Sequence, residues 1–74
     1  MLKVLFNNDG TVIGIRNLLS DPVTVQDGQW KITGKGINIL YVSSTWPVVD
    51  VVRVCTELVA QSEVEGCIGD MSPN

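Results

Sequence analysis

No histidine occurs in the sequence, and that absence removes the commonest general base and the commonest metal ligand together. Cysteine is nearly as scarce. The two present, Cys55 and Cys67, allow at most one intramolecular disulfide, and two cysteines without histidine do not make a structural zinc site. No apolar run approaches the roughly 18 residues a membrane-crossing helix needs. Met1 to Phe6 is followed at once by Asn7-Asn8-Asp9-Gly10, too short an apolar start for an export signal, and no lipidation pattern is present. The expectation is a cytoplasmic protein without membrane contact, its cysteines reduced to thiols. Charge of neither sign dominates: five Lys and Arg against eight Asp and Glu give a net charge of -3, which selects no partner class.

Hydrophobic residues make up 45% of the chain, enough to fold. At 74 residues there is room for one domain only, and apolar burial in so short a chain barely offsets the ordering entropy. With no metal site and one disulfide at most, oligomerisation is the supplement left.

Asp9-Gly10 and Asp27-Gly28 are dipeptides suited to two-residue hairpin turns, and both are flanked by β-branched or aromatic residues. With Asp9-Gly10 as the loop, Phe6 pairs with Ile13, Val4 with Ile15 and Leu2 with Asn17 on an apolar face. Asn7 with Val12, Leu5 with Gly14 and Lys3 with Arg16 share a mixed outer face. Around Asp27-Gly28, Val25 pairs with Trp30 and Val23 with Ile32, while Gln26, Gln29, Thr24 and Lys31 face outward. Ser20-Asp21-Pro22 separates the hairpins. After Gly34-Lys35-Gly36, Ile37 to Val42 reads as a fifth strand, apolar on both faces and therefore central.

From Pro47 to Glu63 the apolar period changes to that of a helix. Val48, Val51, Val52, Cys55, Leu58 and Val59 lie on one side, and Asp50, Arg53, Glu57 and Gln61 on the other. Thr45 or Ser44 is the expected cap, with Pro47 in the first turn. The predicted fold is α+β: a five-stranded antiparallel β-meander, built of two hairpins and a fifth strand, with one C-terminal amphipathic helix packed on it. Strong curling into a barrel is an alternative, given Gly14, Gly34 and Gly36. Residues 1–66 form the domain, and 67–74 a flexible tail.

The chemistry-bearing residues have plain structural explanations. Asp9, Asp21 and Asp27 lie in turns that their side chains favour. Cys55 sits in the apolar stripe of the helix, whereas Cys67 is exposed but has no basic neighbour in sequence to activate it. Gly34-Lys35-Gly36 lacks the full phosphate-loop pattern and precedes a strand. No catalytic, metal or cofactor constellation emerges, so the expectation is a protein that is not an enzyme and carries no cofactor.

Three binding readings follow. The first is a protein-interaction module that self-associates and binds, or inhibits, a larger protein. Its candidate interface residues are Leu5 and Val12 on the outer face, Leu40 and Val42 on the two-sided fifth strand, Val49 and Val54 beside the helix stripe, and Trp46. Trp46, at the strand-to-helix junction, either plugs the core or stands exposed as an anchor. The second is single-stranded nucleic-acid binding through Lys3, Arg16, Lys31 and Lys35, against which stand the negative net charge and the lack of a predicted aromatic platform. The third is small-ligand binding between subunits near Trp46 and Tyr41.

Overall fold

The computed structural model describes residues 1–18 and 25–68. Five strands form one antiparallel sheet: β1 (Leu2–Phe6), β2 (Val12–Asn17), β3 (Gln29–Lys31), β4 (Asn38–Val42) and β5 (Glu65–Cys67). One helix among the described residues, α1 (Val48–Ala60), connects β4 to β5. The α+β class and the five-stranded antiparallel sheet are as the alternation predicts. The connections differ from a simple meander: the order is β2-β1-β4-β3-β5, with β2 and β5 as its edges among the described residues.

In the first hairpin, Leu2 opposes Asn17, Lys3 opposes Arg16, Val4 opposes Ile15 and Leu5 opposes Gly14, in the predicted register. Beside the turn the register slips, and Phe6 faces Val12 instead of Ile13. The cause is a longer loop than the two-residue one expected. Gly10 N–H donates to Asn7 O (3.0 Å), Asn7 N–H donates to Thr11 O (2.9 Å), and Gly10 takes a φ of 90°. That is a three-residue connection with a left-handed glycine and a bulge. Asn7 Oδ1 accepts the Asp9 and Thr11 amides, and Asp9 Oδ1 accepts the Thr11 hydroxyl at 2.6 Å. The slip brings Val12 against the core, where the outer face was expected, and turns Ile13 out to 52% exposure.

Asp27-Gly28 does form a turn, closed by Gln29 N–H on Gln26 O at 3.1 Å with Gly28 at φ 90°, but it does not start the expected hairpin. Gly28 N–H donates instead to Tyr41 O (2.6 Å), and β3 pairs with β4 across the Gly34-Lys35-Gly36 turn. Of the strand expected before Asp27, Val25 and Gln26 are irregular, and Val23 and Thr24 lie outside the described residues, as does Ser20-Asp21-Pro22. The strand read as central is central: β4 lies between β1 and β3, with Asn38, Leu40 and Val42 fully buried on the helix side.

Helix α1 covers that side of the sheet. Its Val51, Val54, Cys55 and Leu58 pack with Val4, Phe6, Trp30, Leu40, Val42, Trp46 and Ile68. The buried stripe is rotated from the expected one: Val54, read as a flank, is inside, whereas Val48 and Val52 are outside. Pro47 occupies the N-cap position without a side-chain hydrogen bond, and the expected cap Thr45 bonds Ser43 instead (Oγ1 to Oγ, 2.7 Å). The helix ends three residues before Glu63, because the chain turns back onto the sheet. Ile32 N–H donates to Val64 O (2.6 Å) and Ile68 N–H to Gly28 O (3.0 Å), bracketing β5 against β3. The packed domain therefore runs beyond Gly66 to Ile68, whose side chain joins the core. The remainder of the expected tail, 69–74, lies outside the described residues.

Candidate functional site

Two surfaces carry side chains that the fold itself does not use. The first is the sheet face turned away from α1. Strand alternation puts Lys3, Leu5, Gly14, Arg16, Lys31, Ile39 and Tyr41 there, with Glu65 and Cys67 from β5. Lys3 stands between Arg16 on β2 and Tyr41 on β4, so two cations lie directly opposite one another, an arrangement that repels without an anion. Towards the β5 edge the same face holds an open cavity of about 500 Å³, lined by Gln29, Lys31, Ile39, Tyr41, Glu65 and Cys67 together with Val25 and Gln26. Lys35 is not part of this face; it lies in the β3–β4 turn, its amide donating to Thr33 Oγ1 at 3.2 Å.

The second surface lies on the helix side. Around α1 the apolar arc is wider than the sheet can cover: Val51, Val54, Cys55 and Leu58 are buried, while Val48, Val49 and Val52 are 68%, 73% and 44% exposed. Val48, Val52 and Thr56 follow one another at i, i+4 and i+8, so they share one row. Thr56 locates that row. A Cβ built on Gly10 would stand 2.8 Å from Thr56 Cα, so the row runs on the flank facing the β1–β2 hairpin. Because β4 ends beside Leu2 and Asn17 before α1 begins, Val48 starts at that end of the hairpin and Thr56 reaches its tip. On the hairpin side of the row, β2 exposes Ile15 (47%) and Ile13 (52%).

The placement of the expected interface residues divides them. Leu40, Val42, Trp46 and Val54 belong to this chain's own core and have no surface to offer a partner. Trp46 plugs the core end, its indole N–H donating to Asp27 Oδ2 at 3.3 Å. Leu5 is half-buried on the outer face, Val12 packs partly into the core, and Val49 is fully outside. Tyr41 belongs to the outer face and Trp46 to the core, so they do not make one pocket. Ile13, Ile15, Val48 and Val52 were not singled out from the sequence. The signal available was the width of the apolar arc on α1, six valines on one helix against a sheet only five short strands wide.

The remaining reactive groups are occupied structurally. Asp9 has its carboxyl held below the usual range, first by the Thr11 hydroxyl and then by the Thr11 amide. Asp27 accepts Ser43 N–H (2.9 Å) and the Trp46 indole. Burial pushes the Cys55 thiol up to about 12. Cys67 is exposed, its Sγ donating to Gln26 Oε1 at 3.4 Å. Among the described residues no group of three acidic or cysteine side chains could hold a metal ion, and no helix is long and apolar enough to cross a membrane.

The sequence matches no protein-family model, and no curated protein or solved structure matches it.

Proposed function

We propose that this chain is a small non-enzymatic protein-interaction module that self-associates and acts by docking on a larger protein. The observation that carries this reading is the exposed apolar row of Val48 and Val52 on the hairpin flank of α1, beside the exposed Ile13 and Ile15 of β2. Exposed apolar residues scattered singly need no explanation, but grouped on one side of so small a fold they mark a contact surface. Light scattering across a concentration series tests it: particles of two 8.0 kDa chains are expected at micromolar concentration, and Val48→Asp combined with Val52→Asp should return them to single chains. A single chain throughout the series contradicts the reading.

A second reading, binding of single-stranded nucleic acid, is favoured by one specific observation. Lys3, Arg16 and Tyr41 lie abreast on the outer face, two cations beside a ring on which a base can stack. Fluorescence anisotropy of a labelled oligothymidylate should then rise with added protein, weaken with salt, and be lost in Lys3→Glu. Absence of any rise at low salt removes this reading.

A further inference from the structure

The two edges of the sheet are treated differently by the sequence. β5 is three residues long and carries Glu65, with Glu63 just before it, so it is short and acidic in the way that edge strands avoid pairing with other chains. β2 is six residues long, contains neither lysine nor proline, and exposes Ile13 and Ile15. Its bulge sits near the turn, at the Val12–Ile13 end, so Gly14 to Asn17 remain regular strand with one row of backbone groups turned away from β1.

We infer that β2 is a self-pairing edge: two copies join antiparallel through it, about a two-fold axis perpendicular to the sheet, into one ten-stranded sheet with both helices on the same side. This rests on the self-association proposed above and names its geometry. A two-fold axis in that direction requires a residue to stand opposite its own copy, because a shift by one would set a core-side residue against an outer-side one. A register centred on Arg16 opposes two like charges, and one centred on Gly14 runs through both bulges. The register centred on Ile15 opposes no like charges and meets the bulges only at its ends, leaving Gly14 to Arg16 of both copies regular. It places Ile15 against Ile15 of the second copy on the helix side and Arg16 against Gly14, where no side chain crowds it.

The apolar surface on this flank is a large share of what a second copy would cover. At the exposures found for Ile13, Ile15, Val48 and Val52, each copy offers on the order of 350 Å² of apolar surface. Two copies together offer about 700 Å², and the paired β2 backbone adds to it towards the roughly 1,000 Å² that a specific interface needs. The Val48–Val52 row carries no charge to oppose its own copy, since Arg53 and Glu57 follow Val49 in a separate row of α1 and Arg53 pairs with both Asp50 and Glu57.

Cysteine cross-linking of the full chain in a Cys67→Ser background tests the geometry. Residues opposite each other in an antiparallel pair have Cα atoms about 4.5–5.5 Å apart, within disulfide reach. Ile15→Cys should therefore form a covalent dimer under mild oxidation, whereas Asn17→Cys, opposite Ile13 in this register, should not. In the chain with its natural residues, the β2 amides should gain hydrogen-exchange protection as concentration rises through the dimerisation range, and Ile15→Lys should weaken association at least tenfold. A dimer by light scattering that shows neither the Ile15→Cys cross-link nor added β2 protection overturns edge pairing while leaving self-association intact. A single chain at every concentration overturns both.

Discussion

Asp27 and Trp46, nineteen residues apart, are joined by the indole N–H donating to Asp27 Oδ2 at 3.3 Å, while Asp27 Oδ1 accepts the Ser43 amide at 2.9 Å. One carboxylate thus fastens the turn before β3 to the connection between β4 and α1, and Trp46 closes the core beneath it. The turn preference of Asp-Gly explains the position of Asp27 in sequence. Its long-range partners explain why the turn sits where it does.

Asp27→Ala leaves the indole N–H of a side chain only 5% exposed, and the Ser43 amide, without acceptors. A loss of about 1–3 kcal/mol is expected from the urea midpoint. Trp46→Phe in the Asp27→Ala background should cost less than Trp46→Phe alone, because there the indole hydrogen bond is already gone.

Gly10 and Gly34 share a positive φ but not their surroundings. An added Cβ at Gly10 meets Thr56 Cα at 2.8 Å, whereas at Gly34 nothing lies within 4 Å. Both alanine variants should pay the left-handed penalty of about 1–2 kcal/mol. Only Gly10→Ala also has to move the hairpin tip away from α1. It should therefore be the less stable of the two by thermal denaturation, and equal melting temperatures would show that the tip is not pressed on the helix.

How far the fold was legible follows from which signals were local. Strand alternation fixed four of the pairs between β1 and β2, and the two-sided apolar pattern of Ile37 to Val42 placed β4 at the centre. The slip at Ile13 was hidden because two- and three-residue loops both accept Asp-Gly, and the Asn7 side chain, accepting two amides, favours the longer one. β5 was invisible for another reason. Glu65-Gly66-Cys67 has almost no strand propensity, and pairing with β3 around a bare Gly66 creates the strand. The candidate surface was half legible: Val49 was read as flanking the stripe, but Val48 and Val52 were assigned to the core because periodicity gives the width of an apolar arc without saying which part the sheet will cover.

The bareness of Gly66 has a consequence of its own. A Cβ there would stand 3.1 Å from Trp30 Cζ2 and 3.3 Å from Cε2, with no unusual backbone φ to add to the cost. Gly66→Ala should cost about 1–3 kcal/mol through crowding of a buried ring. Trp30→Phe, which removes the crowded atoms, should recover part of that loss in the double variant, and additive effects in the cycle would count against direct contact.

The two thiols should separate by chemistry and by pH. Cys67 is exposed and should react with an aromatic disulfide reagent in the native protein, while Cys55 should react only after unfolding. Burial pushes the Cys55 thiol from 9.0 to about 12, so between these values the folded chain holds a proton that the unfolded chain releases. The sign is fixed by that difference: the stabilisation is fully present below pH 9 and is lost as pH rises towards 12. Urea midpoints should therefore fall with rising alkalinity, and Cys55→Ala, less stable at neutral pH because of the space it leaves, should show a shallower fall. Parallel curves for the two proteins would mean that another group governs the alkaline limb and that Cys55 is reached by solvent in the folded chain.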